Sequence, residues 1–414
     1  MITSFIFVSE GISYQYGIGK YVTCLKKEFA GNIGISINVV VLGSKNCTKM
    51  TIVKEATNIN MVYYPPFPGI REQEQIKNAE WLVDALESYF KIDNNAIFHF
   101  IVWCGIFIAL ALKKRYTNPV ICDLQSLEWQ FALNGNKHKF NIYWNDTIKD
   151  CETRYKDRLK PGLFYEKQLC DLADHIIVRT NRMKNDIIET YKADENKISV
   201  IPNGIITEKP FTDAKKVVKA KLGFSSHERI ILFVGRVCDQ KGIQFLVRAF
   251  RLILAEFKDI RLVIAGNGYY DNYLKECDNI WGKVTFTGQL DTDKLNSLYR
   301  IADIGVVPSL YEPFGYVILE MMMYSIPVIS TNIEGPNDII QDGHTGFKVN
   351  VMENEEGERS IRPEELAEKI KMLLNDRLLA KSLAENARVK LKEKFSAVQM
   401  SKSVEKVYHN VTLK

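Results

Sequence analysis

None of the eight cysteines, at positions 24, 47, 104, 122, 151, 170, 238 and 277, stands in a C-x-x-C pair. Such isolated thiols give neither a zinc-binding spacing nor a disulfide framework, and the natural reading is a reducing, cytoplasmic setting. No basic segment precedes the apolar residues 2–8, and Glu10 follows them at once, so no signal peptide is predicted. Charge of one sign is lacking too. A net charge of +5 over 414 residues permits a local basic pocket for phosphate but no nucleic-acid-binding surface. There is no short repeat and no low-complexity tract. No cluster of His, Asp or Glu has metal-ligand spacing. Long apolar runs reduce to one, the 17 residues 96–112, which hold no charged side chain. That length is at the lower limit for a membrane span, and His99 and an expected break at Cys104-Gly105 interrupt it. It reads as a buried parallel strand entering a buried helix. Contact with a membrane surface stays open.

What is present is an ordinary soluble composition, 46% hydrophobic and 25% charged, in a chain long enough for two or three domains. Short apolar runs alternate with helical stretches, the pattern of a parallel α/β sheet. In the first half the predicted strands are 3–8, 36–42, 60–63, 96–101, 119–122, 175–178 and 197–201. A break follows at Pro202-Asn203-Gly204. In the second half they are 230–234, 261–265, 284–287, 304–307, 328–330 and 346–349. Two doubly wound units are therefore expected, 1–205 and 206–394. A last helix over 395–414, with a polar start at Ser396, is expected to return to the first unit. Residues 362–386 and 386–414 read as helices, the former opening with Pro363 and two glutamates. Residues 131–163, rich in Asn, Lys and aromatics, read as a long irregular loop or insertion.

Four stretches carry candidate chemistry. Gly17-Ile18-Gly19 falls between a strand and a helix, where backbone amides can meet a phosphate. With no third glycine it is not a dinucleotide fingerprint, and a plain tight turn is the alternative. Arg236 sits just past a strand and Lys241 just ahead of a helix start near Gly242. Both lie at the carboxyl end of a parallel sheet, where α/β proteins bind ligands. A lysine at a helix N-terminus opposes the helix dipole, a local rule break expected where an anion binds.

The third stretch is PSLYEPFGYVILEMMMYSIP, residues 308–327, in which Glu320 is the one carboxylate of an otherwise apolar helix. Such a group is costly to bury unless paired. Glu312 lies eight residues earlier, about 12 Å away if both sit on one helical axis. That exceeds the roughly 5–9.5 Å of a glycoside-hydrolase pair and suits the two ends of one long ligand. With Pro313 at the first helical position, Phe314, Gly315, Tyr316 and Val317 would supply helix-start amides. Glu320 would accept bonds from two vicinal hydroxyls, as on a ribose. Gly266-Asn267-Gly268 and Gly288-Gln289 place two more loops at the same sheet edge. The fourth stretch, Asp291-Thr292-Asp293, looks like a metal-binding D-x-D but stands at the start of an amphipathic helix, so it is expected to cap that helix.

The combination GRVCDQKG, AGNGYY, FTGQL, PSLYEPFGYVILEMMMYSIPVIS and DGHTGFKV resembles the family-4 glycosyltransferases, the glycosyl transferases group 1. It is specific over 230–349 and looser in the first half. The resemblance implies the GT-B fold, two Rossmann-like domains facing each other across a cleft. It implies a retaining, metal-independent transfer from a nucleotide-diphosphate sugar, with a UDP-sugar favoured and no cofactor. The donor would lie mostly on the second domain and the acceptor on the first. Glu320 would hold the ribose and Glu312 the sugar hydroxyls, helped by the amides of Phe314, Gly315 and Tyr316. Arg236 and Lys241 would neutralise the diphosphate.

Relatives often carry a second histidine two residues after the one matched by His99. Here that slot is Ile101, so His99 or a neighbour such as Trp103 would take its role. The acceptor stays open among glycan, lipid-linked sugar, small molecule and peptide. A sugar phosphorylase, an epimerase and a non-catalytic sugar-nucleotide-binding protein are the rival readings.

Overall fold

The computed structural model describes residues 1–10, 17–66, 71–101, 105–144, 153–207 and 214–413. The chain divides into two compact units, one of residues 1–132, 146–206 and 396–414, the other of residues 133–145 and 207–395. Each is built on its own sheet, all parallel in the second unit and parallel but for one edge strand in the first.

The first sheet has β1 (Ile2–Ser9), β2 (Ile35–Leu42), β3 (Thr51–Ala56), β4 (Ile59–Tyr64), β5 (Ala96–Phe100), β6 (Val120–Asp123), β7 (His175–Val178) and β8 (Ile198–Val200). Their order is β3-β4-β2-β1-β5-β6-β7-β8. Every pairing is parallel except β3 with β4. The chain thus starts mid-sheet and winds outward to both sides, with its switch point between β1 and β5. The strands that composition predicts are apolar runs, and of these β1, β2, β5, β6 and β7 are buried almost throughout. The unpredicted β3, TIVKEA, is a largely exposed edge strand with only two consecutive apolar residues before Lys54 and Glu55, so it carries little apolar signal. The apolar run at 96–112 is indeed a buried strand followed by the helix Ile106–Arg115. Among the described residues no helix is long and apolar enough to cross a membrane.

The second sheet holds β9 (Arg229–Val234), β10 (Ile260–Ala265), β11 (Val284–Gly288), β12 (Ile304–Val307), β13 (Val328–Thr331) and β14 (Phe347–Val349). Their order, β11-β10-β9-β12-β13-β14, is all parallel. It repeats the strand order of a mononucleotide-binding doubly wound sheet, with the switch point between β9 and β12. A small antiparallel hairpin, β15 (Val351–Glu353) and β16 (Arg359–Ile361), follows. Its three-residue strands are too short and too charged to be read from composition.

Two sequence expectations are corrected. The described residues of 131–163 are largely helical, in Glu128–Ala132, Lys137–Trp144 and Thr153–Leu172. Asn136 supplies one helix start by accepting the Lys139 amide at 2.8 Å. The tail holds three helices rather than two, Pro363–Asn375, Arg377–Lys394 and Ala397–Thr412. Asp376 ends the first and caps the second, accepting from the Leu379 amide at 2.9 Å.

The last helix packs on the first unit. Ala397, Met400, Val404, Val407, Tyr408 and Val411 form a stripe at helical spacing and join the core of β1, β2 and the helix Gly17–Phe29. Its polar anchor is Tyr408, whose hydroxyl accepts from Ser4 Oγ at 3.1 Å and meets His99 Nδ1 at 2.7 Å, all three groups fully buried. Tyr408→Phe would leave two buried polar groups short of a partner. It is expected to lower stability by about 1–3 kcal/mol, measurable as a shifted midpoint in denaturant unfolding.

Candidate functional site

At the carboxyl ends of β9 and β12, on either side of the second switch point, two loops run together. After β9 the chain passes Gly235 and Arg236 into a 3₁₀ turn, Asp239–Lys241, and then the helix Ile243–Leu254. After β12 it passes Pro308 to Phe314 into the helix Tyr316–Met323. The Leu310 amide donates to the Gln240 carbonyl at 2.9 Å, stitching one loop to the other. Gly242, at φ +67°, makes this approach feasible. A Cβ there would lie 2.0 Å from the Pro308 carbonyl oxygen. The neighbouring loop after β10 is held as closely. The Val237 amide donates to the Asn267 carbonyl at 2.8 Å, and a Cβ on Gly266 would sit 1.8 Å from the Gly235 oxygen. Gly288 closes the row, its carbonyl accepting the Gly266 amide at 3.0 Å.

Within this frame Lys241 Nζ donates to Glu312 Oε2 at 2.7 Å, with 14% and 18% of the two side chains exposed. Arg236 is exposed beside them, one guanidinium N–H donating to Gln240 Oε1 at 3.1 Å. Asp239 is held from below by the Tyr273 hydroxyl at 2.5 Å. The site therefore carries two cations, Arg236 and Lys241, and two carboxylates, Asp239 and Glu312, from loops fixed by backbone bonds rather than by side-chain chance.

The helix after Glu312 starts later than the sequence suggests. Gly315, not Pro313, is the entry, as a left-handed N-cap at φ 113°, and Tyr316 is the first helical residue. Glu312 stands in the preceding loop, so the spacing of two carboxylates along one helical axis does not apply. Phe314 and Gly315 are buried, while Tyr316 and Val317 are partly exposed at the helix start. The first amides of a helix have no carbonyl one turn back, and the helix dipole adds partial positive charge there. Glu320 lies one turn in, and its Oε2 accepts from the Tyr299 hydroxyl at 2.6 Å. Tyr299 stacks on Tyr324 with ring centroids 5.2 Å apart. Burial and the Glu320 charge push the Tyr299 hydroxyl well above its ordinary pKa, so it stays a donor to that carboxylate. No sequence signal marked Tyr299, because it is brought to Glu320 only by the packing of one helix on another. Asp291 accepts from the Lys294 amide at 2.8 Å and is a helix cap. Among the described residues no group of three His, Cys, Asp or Glu is placed to hold a metal ion.

The remaining candidates lie in the first unit. Gly17 and Gly19 open the helix Gly17–Phe29, and the turn before it, like Trp103, lies outside the described residues. His99, on β5, is fully buried and both ring nitrogens are engaged, Nδ1 with Tyr408 at 2.7 Å and Nε2 with Asp123 at 3.0 Å. Asp123 also accepts from Tyr21 at 2.8 Å and pairs with the buried Arg179. Arg179 in turn donates to the Ile201 carbonyl at 2.9 Å. Burial, and next the Arg179 charge, push the His99 pKa down to about 3. The ring is therefore neutral, with Nε2–H donating to Asp123 and Nδ1 accepting from Tyr408. With no exposed atom and no spare nitrogen, His99 serves as a core residue, and the geometry gives it no reach toward a substrate.

The unfolded chain takes up a proton near pH 6.5 that native His99 refuses until about pH 3. The stability from His99 is thus fully present above pH 6.5 and is lost as pH falls toward 3. Urea unfolding of the wild type and His99→Gln should show their stability difference narrowing by about 1.4 kcal/mol per pH unit between pH 6 and 4.

Comparison with known proteins adds an independent line. The family model described as "Glycosyl transferases group 1" matches residues 214–390, and that of "Glycosyltransferase Family 4" matches residues 16–209. An uncharacterized glycosyltransferase of Methanocaldococcus jannaschii is 29% identical over 77% of this chain and 76% of its own length. A D-inositol 3-phosphate glycosyltransferase of Corynebacterium aurimucosum is 24% identical over 95% of this chain and 90% of its own. Among solved structures, a sucrose-phosphate synthase of Thermosynechococcus elongatus superposes with a TM-score of 0.76 at 21% identity, covering 99% of both chains. HepE of Anabaena, solved with UDP and glucose, superposes with a TM-score of 0.71 at 15% identity, covering 98% of this chain and 99% of its own.

Proposed function

Because the chain belongs to the group 1, family-4 glycosyltransferases, enzymes of the GT-B fold, we propose that it transfers a sugar, with retention and without a metal ion, from a nucleotide-diphosphate sugar to an acceptor hydroxyl. The observation that carries the reading is the meeting of Arg236, Lys241, Glu312 and a helix N-terminus at one switch point.

A nucleotide-diphosphate sugar has three recognisable parts, and the second unit offers a counterpart to each. Arg236 and Lys241 take the diphosphate, which becomes more negative as the sugar leaves. Cations and helix amides aimed there in advance stabilise that charge and can contribute several kcal/mol. Lys241 exchanges Glu312 for the phosphate, which turns Glu312 toward the sugar hydroxyls. Glu320, oriented by the Tyr299 hydroxyl, takes the two ribose hydroxyls. Gly266 and Gly288 let the backbone approach the nucleotide, and Phe314, Gly315, Tyr316 and Val317 line the helix start. The leaving phosphate oxygen accepts the acceptor hydroxyl's proton, so no side-chain base is required. UDP is the favoured nucleotide, supported by the UDP and UDP-glucose found in complex with Anabaena HepE. The first unit takes the acceptor, a glycan, lipid-linked sugar, small molecule or peptide, while Gly17 and Gly19, at the start of its first helix, offer backbone amides to the donor's phosphate.

A panel of UDP-, GDP- and ADP-sugars, scored by thermal shift and slow hydrolysis, tests the donor assignment. At least one should raise the melting temperature, and a panel without effect removes the reading. Glu320→Gln is expected to weaken donor binding by about tenfold, the loss of roughly 1–2 kcal/mol for a hydrogen-bonded charge, while the melting curve stays cooperative. Calorimetric titration returning the wild-type affinity would take Glu320 out of the site.

A further inference from the structure

Arg359, on β16, is 7% exposed and forms a buried ion pair with Glu334, whose side chain is 4% exposed, at 2.9 Å. The same guanidinium donates to the Leu310 carbonyl at 2.9 Å, reaches the Gly135 carbonyl at 3.5 Å and meets Glu353 at 3.3 Å. The residue after Glu334, Gly335, donates its amide to the Glu312 carbonyl at 3.2 Å. One ion pair therefore grips the Leu310–Glu312 loop from both sides, through Arg359 at Leu310 and through the Glu334-Gly335 peptide at Glu312.

The segment 133–145, which clusters with the second unit, closes this grip. Gly135, at φ +73°, leaves no room for a side chain. A Cβ there would lie 2.9 Å from the Tyr311 ring and 3.0 Å from Arg359. Asn136 Nδ2 donates to the Glu356 carbonyl in the β15–β16 turn at 2.9 Å, and Lys139 pairs with Glu358 at 3.5 Å. Arg359 lies outside the six-stranded sheet, on the β15–β16 hairpin, and its buried ion pair is costly to desolvate.

We infer that Arg359 is a positioning residue for Glu312, and that the segment around Gly135 is the strap that holds Arg359 in place. The inference rests on the donor reading above, in which Glu312 serves the sugar and not the nucleotide. It follows that loosening the clasp weakens recognition of the sugar far more than recognition of the nucleoside diphosphate, because Glu312 is gripped directly whereas Glu320 is held by Tyr299 and not by the clasp.

The test compares UDP with UDP-glucose, or with the nucleotide sugar that stabilises the wild type and its own diphosphate, in the wild type, Arg359→Met, Arg359→Lys and Gly135→Ala. Arg359→Met and Gly135→Ala are expected to keep diphosphate affinity within about twofold while turnover of the nucleotide sugar falls roughly 10–100-fold, the cost of an ångström-scale misplacement. Arg359→Lys, which keeps the charge but loses the planar fork, should fall between. Should Arg359→Met not fold, Gly135→Ala decides, since it disturbs the clasp without removing either charge of the Arg359–Glu334 pair. Folded variants that lose diphosphate and sugar binding alike, or neither, overturn the inference. A wild type that binds no nucleotide sugar overturns the donor reading and this inference with it.

Discussion

The interaction on which the second unit depends is the stitch between the loop after β9 and the loop after β12. The Leu310 amide bonds the Gln240 carbonyl, and a little farther out Lys241 bonds Glu312. Two parallel strands that diverge at a switch point leave a crevice at their carboxyl ends. Here that crevice is spanned by one backbone bond and one ion pair, so opposite charges are held where neither loop could hold them alone. Glycine at 242 is the condition for it, because any side chain would strike the Pro308 carbonyl.

The first unit solves a different problem with similar means. Its polar centre, His99, Asp123, Arg179, Tyr21 and Tyr408, is buried, and each member is hydrogen-bonded or ion-paired to another. A half-satisfied network of this kind would cost more than an apolar core. Its members come from β5, β6, the end of β7, the first helix and the last helix. It therefore reports whether the chain's C-terminal helix has found its place on the sheet its N-terminus began. The apolar stripe of that helix supplies adhesion, and Tyr408 supplies register.

The parts of the fold legible in the sequence were those with a strong local signal. Covered parallel strands are apolar runs, and the last helix shows its stripe and its Ser396 cap. The charged edge strand β3 and the hairpin β15–β16 left none, since exposed short strands are made by their partners and not by their own composition. The described residues of 131–163 read as irregular in the sequence because their helices have no clean apolar face. At the site, Arg236, Lys241, Glu312 and Glu320 stood out as charges set among apolar or glycine-rich neighbours. Tyr299, Glu334 and Arg359 did not, because each is ordinary in its own stretch and acquires its place only across the fold.

The sequence by itself therefore determined two doubly wound units, the loops that bear charge at their sheet edges and the glycosyltransferase family, whose motifs are continuous in the chain. The tertiary structure decided how those charges are spent. Lys241 is paired with Glu312, Glu320 is oriented by Tyr299, His99 is shut in the core, and Arg359 reaches back to Leu310 from 49 residues downstream. The physical reason is range. Backbone periodicity and turn chemistry act over a few residues and are written locally, whereas the state of an ionisable group depends on burial and on partners that only the folded chain brings within hydrogen-bond distance.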